Sequence, residues 1–324
     1  MKKRLLVLFL LCALVTAGCG RETVSAFQGE EPLPSSSQGE ALREETAPPS
    51  AQEPDQEPDQ EPPAQPADAL PETGELQPYL QELVDKVVDQ IAVPGMSDYE
   101  KAKAAFDYMI ENTYLDEPIG LELWRVHGGG EEPIPYLEQR ALSPLRFGVG
   151  MCEDYAAALT LILRGMGLQA QYVPGLTYSV EGNLVDHAWT AVEIDGTWYH
   201  LDSQLEDNVS RHGTVRYRYF LRGDGTLSAS HRWGQNLLDS GLLDEEQAAQ
   251  LADGYLTPAC PQDYPTPERL LFEEPPAPDL EALRREAAEE LAAYEAENGP
   301  LAPMELNTTP PVFGLEGYGP ANEG

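Results

Sequence analysis

The sequence predicts an α+β domain in which N-terminal helices, and a further helix beginning at Cys152, pack on an antiparallel sheet. Two observations carry this expectation. Apolar residues recur at helical spacing before residue 112 and again after Cys152. Beyond them, Asp195-Gly196 separates two segments of strand character, the strongest short hairpin signal in the chain. Both patterns fall within residues 76–265.

The flanks read differently. Met1 to Arg4 is basic, the next eleven residues are nearly all apolar, and Thr16-Ala17-Gly18-Cys19 is small residues ending in cysteine. Residues 1–19 therefore read as a secretory signal, whose apolar run is too short to span about 30 Å of hydrocarbon. Ala17-Gly18-Cys19 resembles the lipobox of bacterial lipoproteins, with Thr16 where leucine is usual. That resemblance implies cleavage before Cys19 and a diacylglycerol anchor on its thiol. Residues 20–75 are rich in Pro, Glu and Gln, with a short repeat over 52–62, and show no apolar periodicity. A disordered acidic tether is expected, and a flexible coil of this length spans on the order of 40 Å.

Leu76, Leu80, Leu83, Val84, Val87, Val88 and Ile91 predict a first helix, which Pro94-Gly95 stops. Ser97 followed by Glu100 has the form of a capping box for a second, ending near Asn112. Between Tyr114 and Gly148 the glycines and prolines predict a loop region, with at most a helical turn at 136–142. Trp124 and Gln139 fall in it as candidate cleft-lining residues.

Cys152 then opens a helix whose apolar stripe is Tyr155, Ala156, Leu159, Ile162, Leu163 and Met166. Backbone N–H groups at a helix start favour a thiolate and can bind an oxyanion. Residues 169–178 predict a strand that Pro174-Gly175 bends or interrupts. In the hairpin, a two-residue turn pairs Ile194 with Thr197, which sets Trp189 opposite Asp202. His187, Trp189, His200 and Asp202 then share one face, and His187 and Asp202 become diagonal neighbours about 7–8 Å apart between Cα atoms. Trp189 is a further cleft-lining candidate. Parity alone does not choose between His187 and His200, but two residues' spacing on one strand suits His200 less to Asp202. Glu153 and Asp154 read as helix N-terminal charge partners.

Residues 216–221 predict another strand, and His231-Arg232-Trp233 a loop in which His231 serves packing. A helix is expected around 236–251. Residues 266–324 form an acidic extension with one helix over 279–298, whose narrow stripe favours a solvated position, and a disordered tail. The net charge of −36 excludes nucleic acid as a partner. Four cysteines are not a disulfide framework, although Cys152 and Cys260 could pair if their Cα atoms came within about 7 Å.

A cysteine, a histidine and an aspartate so placed could form a nucleophile, its base and the base's orienter. Gly-x-Cys-x-x-Tyr-Ala opening a helix, then His-Ala-Trp, then Trp-Tyr-His-Leu-Asp, resembles the bacterial transglutaminase-like superfamily. The resemblance covers roughly residues 97–233 and implies a papain-like fold with Cys152 as nucleophile, His187 as base and Asp202 as orienter. It implies no cofactor, and no metal-ligand pair of the usual spacing is seen. The expectation is a surface-anchored cysteine enzyme acting on amide bonds of cell-surface proteins or peptides through an acyl-enzyme. A protease or amidase is favoured over a transglutaminase because water is always present. The alternative is an inactive binding or scaffolding module on the same fold.

Overall fold

The computed structural model describes residues 76–129, 134–180, 182–210, 213–234, 237, 257–273 and 275–303. The signal, Cys19, the tether, all but Leu237 of the expected 236–251 helix, and the tail beyond 303 lie outside these residues. Among the described residues no helix is long and apolar enough to cross a membrane.

The helices are α1 (Pro78–Ile91), α2 (Asp98–Asn112), α3 (Leu123–Val126), α4 (Tyr136–Phe147), α5 (Cys152–Gly165), α6 (Ser203–Ser210), α7 (Asp224–Leu227) and α8 (Leu280–Asn298). The strands are β1 (Tyr114–Leu115), β2 (Val149–Gly150), β3 (Ala170–Tyr178), β4 (Leu184–Ile194), β5 (Thr197–Leu201), β6 (Thr214–Val215), β7 (His231–Arg232) and β8 (Leu270–Leu271). The main sheet is antiparallel, in the order β5-β4-β3-β7, with α5 packed on β3 and β4. This is the α+β architecture that the sequence predicts, with helices packed on an antiparallel sheet.

The first two helices begin where their caps place them. Gln77 accepts the Leu80 N–H at 2.9 Å. Ser97 and Glu100 exchange both bonds of the capping box, with the Ser97 N–H 2.8 Å from Glu100 and the Glu100 N–H 3.3 Å from Ser97 Oγ. Leu80, Leu83, Val84 and Val87 from α1 and Ala102, Ala105, Phe106 and Met109 from α2 enter the main core around α5.

Much of the loop expected before Gly148 is instead α4. Pro144 lies inside it and cannot donate to the carbonyl of Arg140. Burial of Ala141, Leu142, Leu145 and Phe147 outweighs that loss. Gly148, with φ 65°, then closes the helix by donating to the Pro144 carbonyl at 3.0 Å.

Strand β3 runs straight through Pro174-Gly175. Its pairing with β7 covers Leu176 and Thr177, so the missing Pro174 donor interrupts no bond to that neighbour. The hairpin register is the expected one, with Ile194 opposite Thr197 and positive φ at both turn residues, 51° for Asp195 and 79° for Gly196. One face of the hairpin joins the main core through Ala188, Val192, Ile194, Tyr199 and Leu201. The other face is buried too. Val173, Trp189 and Ala191 form a second, smaller core there with Leu227 and Trp233.

Two further expectations are corrected. Residues 216–221 are a turn region, because the buried Glu206 carboxylate on α6 accepts the Arg216 and Tyr219 N–H groups at 3.0 and 2.9 Å. Those donors therefore need no ladder partner. The C-terminal helix α8 is docked, not solvated: Ala287 is buried and Leu280 and Leu283 pack on the main core. Arg146–Glu286 at 2.7 Å and Arg284–Asp116 at 2.8 Å flank it. Its charged flanks thus find partners on the domain, which a stripe of apolar residues does not report.

Candidate active site

Cys152 stands at the first position of α5, half-buried, and the run leading into it is tied down on several sides. Strands β1 and β2 pair in parallel, which fixes Val149 and Gly150 against the end of α2. Ser143 donates to the Val149 carbonyl at 2.5 Å while accepting the Ile119 N–H at 2.8 Å. Gly150 has to be glycine, because a Cβ there would lie 2.6 Å from Asp154 Cβ. That room lets Asp154 reach back and accept the Met151 N–H at 2.7 Å. Burial pushes the Asp154 carboxyl up to about 7 despite Arg140 nearby.

Arg140, on α4, pairs with Glu153 at 2.8 Å and stands 3.5 Å from Asp154. Glu153 also accepts from Tyr136 at 3.1 Å, and Tyr136 in turn contacts Tyr172 at 3.2 Å. The two acidic residues after Cys152 are therefore partners of the helix start and of Arg140, as their positions predict.

His187 and Asp202 meet directly, with Nε2 2.6 Å from Oδ2 and both side chains buried. Strand β5 ends at Leu201, so Asp202 heads α6, where its Oδ1 accepts the Leu205 N–H at 2.9 Å. Burial by itself would lower the His187 imidazole. The Asp202 carboxylate and a hydrogen bond with Cys152 outweigh it and hold the ring well above its ordinary value. Burial would likewise raise Asp202, but His187 and then His231 hold its carboxyl below the usual range. Since Nε2 is engaged by Asp202, Nδ1 is the ring nitrogen left for Cys152. The three residues singled out in the sequence thus meet around His187.

His231, expected from the sequence to serve packing, is instead bonded to this site, its Nε2 3.0 Å from Asp202 Oδ2. It sits on β7, whose two residues are too few to show any periodicity. Trp189 lies beside His187, ring centroids 6.0 Å apart. Trp124 is engaged elsewhere. Its indole donates to Glu138 at 2.8 Å and its ring belongs to the main core. Gln139 is buried in α4 beside Arg140. Cys152 and Cys260 are both free, and burial pushes the Cys260 thiol up.

Among the described residues two groups, His187-Asp202-His231 and His200-Asp224-Cys260, are compact enough to hold a metal ion. Donor chemistry argues against both. Trp189 Nε1, which can only donate, is 3.0 Å from His200 Nδ1, so His200 Nε2 carries the proton and faces Asp224 at 3.0 Å with no lone pair to offer. In the first group, Asp202 Oδ2 already accepts from both imidazoles.

The family model of the transglutaminase-like superfamily matches residues 85–203, a span that begins within α1 and closes one residue past Asp202. The chain carries a transglutaminase-like superfamily domain. Among solved structures, it is similar to a TGase at 23% identity, with 39% of this chain and 31% of that one covered and a TM-score of 0.29. It is also similar to a Cytophaga hutchinsonii protein described as a candidate cysteine protease, at 17% identity, 40% and 39% coverage and a TM-score of 0.29. A third is the Bacillus cereus arylamine N-acetyltransferase NAT3, which has a Cys-His-Glu triad, at 14% identity, 38% and 48% coverage and a TM-score of 0.27. The chain spans less than half the length of each of these proteins. No curated protein matches it. Within the transglutaminase-like domain, the matched span holds Cys152, His187 and Asp202 but not His231, which the family pattern could not have supplied.

Proposed function

We propose that this protein is a surface-anchored cysteine enzyme that cleaves amide bonds of proteins or peptides through an acyl-enzyme. The observation that carries the reading is the position of His187, bonded through Nε2 to Asp202 at 2.6 Å and held well above its ordinary value by Asp202 and Cys152 against the burial of its ring. His187 takes the thiol proton, and the Cys152 sulfur attacks the carbonyl carbon to form a C–S bond. The N–H groups at the start of α5 face the oxyanion that results. Collapse breaks the C–N bond, and the departing amine leaves with the proton from His187. Water then attacks the thioester, His187 accepts its proton, and the C–S bond breaks to restore the thiol. With a lysine amine in place of water the same steps give a transglutaminase. Water is the acceptor we favour, since it is always present. The Ala17-Gly18-Cys19 run supports a lipid anchor on Cys19, with the acidic tether holding the domain clear of the membrane.

The test is to incubate the purified protein with a peptide library, with and without an amine donor, and to weigh the products. Hydrolysed peptides that disappear with Cys152→Ala are expected. Amine adducts in their place would move the assignment to a transglutaminase. Peptides unchanged under both conditions would favour a binding module.

A further inference from the structure

Asp202 has one more partner than a nucleophile, a base and an orienter require. Its Oδ2 lies 2.6 Å from His187 Nε2 and 3.0 Å from His231 Nε2. A carboxylate oxygen only accepts, so each ring must present an N–H to it. For His231 this leaves Nδ1, 2.8 Å from Ser230 Oγ. The ring is fully buried, and burial holds it below its ordinary value against the pull of Asp202, with His187 and His200 lowering it further. A neutral ring with its proton on Nε2 has a bare Nδ1, so the Ser230 hydroxyl donates there at 2.8 Å in preference to the Leu227 carbonyl at 3.4 Å, and selects the tautomer.

We propose that His231 is a positioning residue for the Cys152 chemistry, whose Nε2–H pins Asp202 Oδ2 against His187 and keeps that carboxylate ionised. The inference rests on the reading given under Proposed function. The architecture gives the pin a reason to exist. Asp202 leaves the hairpin at the start of α6, so no strand ladder holds its side chain towards His187. Strand β7 supplies the missing restraint: it pairs with β3 at Leu176 and Thr177, and the Thr177 hydroxyl bonds the Ser230 carbonyl at 3.1 Å. Around the His231 ring stand His187 at 5.6 Å, Trp189 at 4.8 Å and Tyr219 at 5.9 Å between centroids, with His200 beyond. Asp202 is the acid that faces it. One helical turn after Asp202, Glu206 is occupied with the backbone of Arg216 and Tyr219.

The experiment follows alkylation of Cys152 by iodoacetamide in the full chain between pH 4 and 9, read by peptide mass so that Cys260 is scored separately. Loss of a hydrogen bond to a charged group predicts that His231→Leu slows labelling about tenfold at pH 6 and moves the acid limb up by about one pH unit. His231→Gln can still place an N–H near Oδ2 and is expected to stay within about threefold of the unaltered chain, with an unshifted limb. A folded His231→Leu protein with the original rate and limb overturns the inference. So does equal slowing by Leu and Gln with no movement of the limb, which marks a structural role. Should His231→Leu not fold, the tautomer in the unaltered protein decides by nitrogen NMR: a proton on Nε2 supports the pin, and one on Nδ1 overturns it. His187→Ala run alongside separates the two readings. Undiminished labelling there sinks the proposed function itself, whereas slow His187→Ala with normal His231→Leu sinks only the role of His231.

Discussion

Two histidines of one hairpin face each meet a carboxylate from outside the strand pair, His187 with Asp202 at 2.6 Å and His200 with Asp224 at 3.0 Å. Both rings are buried, and Trp189 touches both. They differ in what meets the other ring nitrogen. At His200 it is an indole N–H, which can neither take a proton nor give one up, so the ring is locked as a strut between Trp189 and Asp224. At His187 it is the Cys152 thiol, which can do both. A buried histidine held by a carboxylate is therefore not itself a signature of catalysis. The third partner decides whether the pair moves a proton or braces a sheet.

The largest expected effect tests that distinction head-on. His187→Ala should slow iodoacetamide labelling of Cys152 at pH 6 by about a hundredfold, the scale of losing a positioned base. His200→Ala should leave labelling within about threefold while lowering the melting temperature, because the Trp189 N–H is stranded in the core at a cost of about 1–3 kcal/mol. Equal slowing by both substitutions would erase the contrast between the pairs.

A second test reads the charge on the functional pair through stability. Asp202 is held below its ordinary value, so its contribution is present above about pH 4 and fades as pH falls through the lower folded value. His187 is held above its ordinary value, so its contribution is present below about pH 6.5 and fades as pH rises through the higher folded value. Both are in place between those limits. Calorimetry should find the unaltered protein more stable than His187→Ala by about 2 kcal/mol near pH 5.5, with the gap narrowing at pH 9. A gap that is constant across this range would mean that the ring is uncharged in the fold.

Much of this site could be read from residue order, and the part that could not has a physical pattern. Cys152 is announced by a helix start, and His187 and Asp202 by hairpin parity, since Asp195-Gly196 sets a register that propagates along both strands. Parity could not separate His187 from His200, because the deciding partners, Cys152 and the Trp189 N–H, come from outside the strand pair or lie diagonally across it. His231 was illegible because a two-residue strand carries no period, and because its bond to Asp202 spans 29 residues. The turn at 216–221 had the alternation of a strand, but the buried Glu206 carboxylate satisfies its donors from another element. Helix α4 was hidden by Pro144, a breaker by propensity that the burial of its neighbours overrides. Short-range signals survive folding well; single polar contacts between distant segments leave no trace in spacing.

The smallest expected effect isolates the link between the two pairs. Trp189→Phe keeps most of the ring that packs with Val173, Leu227 and Trp233 but deletes the donor to His200 Nδ1. One neutral hydrogen bond and a partly refilled space predict a loss of about 1 kcal/mol, and so a fall of roughly 2–4 °C in melting temperature. Without the indole N–H, His200 still keeps its proton on Nε2 towards Asp224, and His187 keeps both Asp202 and Cys152. Cys152 labelling should therefore change by less than about twofold, because no bond to the reacting pair is lost. A drop in labelling as deep as that of His187→Ala would mean that Trp189 transmits the state of one pair to the other. The brace and the proton carrier would then be one connected network, and the difference in their third partners would no longer explain their roles.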